Sequence, residues 1–125
     1  MCIRDRNNVI DNIQMSWVKE GPRFSQVLLN WGANDFGGTL INESISTAAG
    51  SGYGQLLKPK EIRHLIRGVG RTPAERDTTY KKIKRFDIEP TESDALDGVK
   101  DEKKFGSYFD LIKIKKYQYH NPREN

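Results

Sequence analysis

Hydrophobic and polar positions alternate from Asn12 to Val18, with Ile13, Met15 and Trp17 on one side and Gln14 and Ser16 on the other. Patterning of period two predicts a strand, because successive side chains of an extended chain point to opposite faces. Gly21-Pro22 breaks it. The spacing then becomes helical over Arg23 to Asn30, with Phe24, Val27, Leu28 and Trp31 as the apolar positions. Proline suits the first turn of such a helix and Gly32 its end. A second strand is predicted over Ala33 to Ile41, carrying two adjacent glycines, followed by a short helix over Asn42 to Ala49. Strand, helix, strand at this spacing is a βαβ unit, for which parallel pairing and a right-handed crossover are expected.

Beyond it, Gly50-Ser51-Gly52-Tyr53-Gly54 is a loop by composition, without the strand-to-helix context of a dinucleotide-binding fingerprint. Lys58-Pro59-Lys60-Glu61 opens the clearest helix, with Ile62, Leu65, Ile66 and Val69 on one face and Gly70 at its close. Thr72-Pro73-Ala74-Glu75 has the order of a further helix start: a threonine cap, proline at the first position and glutamate at the third. The character changes after Tyr80. Residues 81–104 are charged and poor in large apolar side chains, which predicts a linker or partly disordered arm. Residues 105–119 regain apolar and aromatic positions and read as a strand that docks on another part of a larger protein. The chain thus divides into residues 7–80, the structured part, and residues 81–125, a charged linker with a C-terminal extension.

Two parallel strands are marginal alone in water, and parallel sheets are normally buried on both faces. The pattern therefore implies a larger α/β parent, for which a (β/α) barrel is the natural architecture. In such a barrel the apolar side chains face the outer helices. Gln14 and Ser16 of the first strand, and Asp35, Gly37 and Thr39 of the second, then face the lumen. These groups can hydrogen-bond a polar substrate, and the paired Gly37 and Gly38 let it approach the backbone closely. Glu43 follows the second strand, where barrel loops carry function. Each has a structural alternative: Gln14 and Asp35 could satisfy buried backbone groups, and Glu43 could complement a helix N-terminus. His64 reads as a surface residue. Arg71, Arg76 and Asp77 fit an ion-pair network better than a ligand site.

Composition narrows the classes further. The 125 residues are 35% hydrophobic and 30% charged, with a net charge of +4. That excess is spread over the chain, 10 basic against 8 acidic groups in residues 1–80 and 11 against 9 thereafter. Without a concentrated basic block, no nucleic-acid partner is expected. No apolar run approaches the roughly 20 residues of a membrane span, and no secretory signal pattern opens the chain, so a cytoplasmic protein is expected. The single cysteine, Cys2, lies in Met1-Cys2-Ile3-Arg4-Asp5-Arg6. This hexapeptide is what a common transposase sequencing adapter encodes, so residues 1–6 are read as adapter-derived and the natural protein as longer on its N-terminal side. No metal site within the chain is expected.

The residues that carry the candidate chemistry also carry a resemblance. Asn12-Ile13-Gln14-Met15-Ser16-Trp17-Val18-Lys19 and Gly32-Ala33-Asn34-Asp35-Phe36-Gly37-Gly38-Thr39-Leu40 resemble one radical S-adenosylmethionine group. Glu43-Ser44-Ile45-Ser46, Ala49-Gly50 and the run from Gly70 to Tyr80 do so as well. The group comprises the tyrosine-transferring subunit of deazaflavin (FO) synthase and two menaquinone-pathway enzymes, aminofutalosine synthase and dehypoxanthine futalosine cyclase. The resemblance runs from about Val9 to Tyr80, with Ser16-Trp17-Val18-Lys19 and Gly37-Gly38-Thr39-Leu40 closest to the deazaflavin enzyme. Glu20 and Asn42 depart from the group's pattern.

The resemblance implies the C-terminal part of a radical S-adenosylmethionine barrel of TIM type. It implies a 4Fe-4S cluster and S-adenosyl-L-methionine in the full-length enzyme, with cluster cysteines outside this chain. It implies L-tyrosine and 5-amino-6-(D-ribitylamino)uracil as substrates, and the partner subunit of FO synthase as a further contact. Gln14, Ser16, Asp35, Gly37, Gly38, Thr39 and Glu43 are then the expected substrate-binding residues, and the 125 residues alone are expected to be inactive. The competing reading is a non-enzymatic basic module whose lysine-rich tail engages RNA or an acidic partner.

Overall fold

A computed structural model describes residues 8–41, 45–54, 56–100 and 113–117 together with positions 6 and 43. Its elements are mixed: α1 (Trp17–Glu20), α2 (Pro22–Asn30), α3 (Ile45–Ala48), α4 (Pro59–Arg67), β1 (Ala74–Arg76), β2 (Lys82–Arg85) and a short 3-10 turn at Lys115–Tyr117.

The parallel pairing expected of the βαβ unit is present, but it is short. Gln14 and Asp35 form an isolated parallel bridge, with the Met15 amide donating to the Asp35 carbonyl at 3.0 Å and the Asn34 and Asp35 amides donating to the Ile13 carbonyl. Asn34 locks the same register from its side chain, accepting from the Ile13 amide at 2.8 Å and donating to the Asp11 carbonyl at 2.7 Å. The strand expected to run to Val18 ends earlier. At Ser16 the carbonyl accepts the Lys19 and Glu20 amides, and Trp17–Glu20 becomes a helical turn that swings Trp17 and Val18 into the core.

That core joins Met15, Trp17, Val18, Leu28, Leu29, Ala33, Phe36, Leu57 and Leu65, with Ile13, Ile62, Ile66 and Val69 packed against it. The helix α4 presents the face the sequence predicts, and Glu61 reaches back to the Lys58 amide at 3.0 Å to cap its start. In α2 the buried stripe is Ser25, Leu28 and Leu29, while Phe24, Val27 and Trp31 are 47, 42 and 45% exposed. This corrects the expectation of one apolar face. The helix carries apolar residues on two sides, and the neighbouring elements cover only one. Gln26 ties α2 to α4 by donating to the Leu65 carbonyl at 2.8 Å.

The helix expected to begin at Thr72 is instead strand β1, paired antiparallel with β2 in the register Ala74 to Arg85, Glu75 to Lys84 and Arg76 to Lys82. Asp77 decides the difference. Its Oδ1 accepts from the Thr79 amide, the Thr79 hydroxyl and the Lys81 amide, at 2.7 to 3.0 Å, which closes a hairpin loop over residues 77–81. Aspartate side chains compete with helical backbone bonding in this way. The hairpin also crosses the boundary drawn at residue 80, so residues 82–85 are ordered strand where a linker was expected. Of the docking strand expected over residues 105–119, only 113–117 fall within the described residues, and they form a bend and the 3-10 turn. Positions 42 and 44 of the short helix and most of the adapter-like segment lie outside the described residues.

Candidate functional site

Where the two extended segments meet the hairpin, an open cleft of about 970 Å³ forms. Asp35, Gly37, Gly38 and Thr39 line it from one side, and Arg76 and Tyr80 from the hairpin. Four of the seven residues expected at a substrate site are therefore brought together. Gln14 stands next to them: its Nε2 lies 3.3 Å from where a Cβ on Gly37 would be. Ser16 is half-buried and outside the cleft lining.

Glu43 is also outside the lining and does what its structural alternative describes. Its carboxylate accepts the Ser46 amide at 3.1 Å at the start of α3, and its carbonyl accepts the Thr47 hydroxyl at 3.4 Å.

Asp35 is the best-held group in the cleft. It is 9% exposed, and its Oδ1 accepts the Gly37 amide at 2.9 Å. Its Oδ2 accepts from Arg76 Nε at 3.0 Å and from Arg76 Nη2. The Gly37 backbone has φ +82, and a Cβ there would press on Gln14 Nε2 and on the Met15 carbonyl. Glycine at this position is thus favoured by conformation, while the space beside it asks only a small shift of the exposed Gln14 side chain. A Cβ on Gly38 would meet nothing within 4 Å.

The Arg76 guanidinium is held on three sides. Besides Asp35, its Nη1 donates to the Asp77 carbonyl at 2.9 Å, and its carbon lies 4.3 Å from the centre of the Tyr80 ring. The hydrogen bond to Asp35 raises its pKa above the ordinary value, with burial working against it. The ion-pair reading of Arg76 is borne out in kind, with Asp35 as the partner that the sequence did not indicate. At the hairpin base, Glu89 accepts from Arg63 Nε at 2.9 Å and from Arg67, and Arg67 Nη2 donates to the Phe86 carbonyl at 2.8 Å. Tyr80, Phe86 and Glu89 were not singled out from sequence, because their roles depend on a hairpin that local patterning reads as helix and linker. Among the described residues no group of three His, Cys, Asp or Glu side chains could hold a metal ion. No helix among them is long and apolar enough to cross a membrane.

A protein-family model described as the CofH/MqnC C-terminal region matches residues 4–88. The match begins inside the segment read as adapter-derived and extends past Tyr80 to take in the whole hairpin. Among curated proteins, the chain is 55% identical over 74 residues to a 5-amino-6-(D-ribitylamino)uracil--L-tyrosine 4-hydroxyphenyl transferase of Methanococcus maripaludis, covering 59% of this chain and 21% of that protein. It is 53% identical over 75 residues to the protein of that name from Methanothermobacter thermautotrophicus, covering 60% and 20%. It is 50% identical over 74 residues to transferase 2 of that name from Methanosarcina mazei, covering 59% and 19%. The chain thus spans about a fifth of the length of these relatives. No solved structure matches it.

Proposed function

The chain belongs to the CofH/MqnC C-terminal region family, and from that premise we propose that it is part of a radical S-adenosylmethionine enzyme of deazaflavin biosynthesis. The parent transfers the 4-hydroxybenzyl fragment of L-tyrosine to 5-amino-6-(D-ribitylamino)uracil. The observation that carries this reading is the identity of 49 to 55% over 74 residues to proteins bearing that transferase name. The family also takes in menaquinone-pathway relatives, but the relatives that bear the transferase name favour tyrosine and the ribitylaminouracil as substrates.

The geometry supports a barrel parent. The two extended segments pair in parallel at one bridge only, the polar positions of the second line a cleft, and Phe24, Val27 and Trp31 leave an apolar face of α2 open. A ring of further β/α units would continue the pairing on one side and cover that face on the other. Within the parent, Gln14, Ser16, Asp35 and Thr39 contact substrate or adenosyl groups, and Gly37 and Gly38 let the ligand come close to the backbone. Their part is to orient the reactants and keep water from them. The 4Fe-4S cluster that the reading implies does not fit on these residues. The described residues offer no cluster of ligating side chains, and the one cysteine is Cys2. Its ligands belong to the remainder of the parent, and these 125 residues alone turn over nothing.

The test is recovery of the upstream reading frame and assay of the full-length protein with L-tyrosine and the ribitylaminouracil, against futalosine-type substrates. Turnover of the first pair is expected, reduced when Asp35 or Thr39 is replaced. Turnover only of the second class, or an upstream frame without a CxxxCxxC run, overturns the reading.

A further inference from the structure

The β1–β2 hairpin has a fixed base and a single side tether. Its base is joined to α4 through Arg67 to the Phe86 carbonyl, through Arg63 and Arg67 to Glu89, and by Arg63 lying 5.1 Å over the Phe86 ring. Toward the body formed by residues 8–57, the hydrogen bonds from residues 74–85 among the described residues are those from Arg76 to Asp35. These two residues are 41 positions apart. The hairpin is otherwise solvated, with every residue of β2 exposed. Yet Arg76, Tyr80, Lys82 and Lys84 line the same cleft as Asp35, Gly37, Gly38 and Thr39.

We infer that Arg76 is a positioning residue, which fixes the Asp35 carboxylate and so clasps the hairpin as a flap against the cleft. The two oxygens of Asp35 divide the work. Oδ1 is bound to the Gly37 amide of its own segment, and Oδ2 to the hairpin. Breaking the pair therefore does two things: it lets the hairpin swing about its base, and it frees the carboxylate that shapes the Gly37 turn. Segments with few buried contacts and solvent-exposed backbone bonds open locally at low cost. A charged, forked Arg–carboxylate contact is the kind of bond that can set the closed state of such a segment. The cleft's role as a substrate site rests on the proposed function. The clasp itself does not.

The test is backbone amide hydrogen exchange on the full-length parent protein that contains these residues. The amides of Asp77 and Phe86 report the hairpin, Gly37 reports the carboxylate, and α2 serves as the internal reference for global unfolding. Arg76→Gln should accelerate the hairpin and Gly37 amides about tenfold, as expected for loss of a charged hydrogen bond, with α2 unchanged. Arg76→Lys, which keeps charge but not the fork, should retain only part of the hairpin protection. Three results overturn the clasp: hairpin amides unprotected in the unsubstituted chain, hairpin amides indifferent to Arg76→Gln, or hairpin and α2 amides accelerating together. None of these measurements reads turnover, so failure here leaves the enzyme reading standing, and failure of that reading leaves the clasp standing.

Discussion

The indole N–H of Trp17 donates to the carbonyl of Gly38 at 2.8 Å, across 21 positions of sequence. Trp17 is fully buried, so this bond pins the start of α1 to the end of the second extended segment from inside the core, and it holds the floor of the cleft in place. Replacing Trp17 by Phe keeps an aromatic ring but leaves the Gly38 carbonyl without its donor. A loss of about 1 to 3 kcal/mol is expected, from the lost hydrogen bond together with the cavity that the smaller ring leaves in the core. Urea unfolding followed by circular dichroism measures it, and an unchanged midpoint would refute a stabilising role for the bond.

Ser25 offers a change in the opposite direction. Its hydroxyl is completely buried and has no hydrogen-bond partner among the described residues. It sits on the buried stripe of α2 beside Leu28 and Leu29. Removing the hydroxyl lifts a desolvation cost, and alanine is the better helix former. Ser25→Ala should therefore raise stability by about 1 kcal/mol. A fall in the melting midpoint would mean that the hydroxyl has a partner in solution.

How much of this was legible in the sequence follows from what each element depends on. The α4 helix depends on local period and emerged as the pattern predicts, whereas the alternation from Ile13 holds only as far as Met15, and Trp17 is buried with Val18 by the helical turn that replaces the end of the strand. The hairpin did not emerge from the pattern, because Thr72-Pro73-Ala74-Glu75 satisfies a helix-start pattern. The deciding interactions, those of Asp77 with its loop and of Arg76 with Asp35, lie downstream or 41 positions away. The α2 helix shows the same limit. Its two apolar sides are both visible in sequence, but which one is buried depends on which neighbours exist. At the site, Asp35, Gly37 and Thr39 fall on one side of one segment, so period grouped them, and Gly38 came in as the second of a glycine pair. Glu43 was placed by analogy with barrel loops, and its carboxylate caps α3 instead of reaching the cleft.

Gly21 is a sharp test of the loop that packs under α2. Its φ is +87, and an added Cβ would stand 2.8 Å from Tyr53 Cε1. Two penalties combine in Gly21→Ala: left-handed backbone strain and a collision with the ring. Together they should cost about 1 to 3 kcal/mol, most of it backbone strain, because the half-exposed Tyr53 ring has room to shift. Tyr53→Ala on the same background should relieve only the collision. The double variant is then expected to be more stable than the sum of the single effects predicts, while remaining below the unsubstituted chain. Strict additivity in denaturation midpoints would exclude contact between the two positions.

Acid should loosen the hairpin before neutral conditions show any change. Burial would raise the Glu89 carboxyl, but hydrogen bonds from Arg63 and Arg67 outweigh it and hold its pKa below the ordinary value. Asp77 is lowered chiefly by the Thr79 hydroxyl, aided by the Lys81 and Thr79 amides. Both carboxylates bind a proton less readily when folded than when unfolded. The stability they contribute is therefore fully present above the unfolded carboxylate range of about 4 to 4.5, and is lost as pH falls through the lower, folded values. Exchange protection of the hairpin amides should accordingly be flat from about pH 7 to pH 5, after correction for intrinsic exchange rates, and fall below about pH 4. Glu89→Gln should start lower at neutral pH and fall less, so that the two profiles converge in acid. Parallel profiles would show that the Glu89 carboxylate contributes nothing to holding the hairpin base on α4.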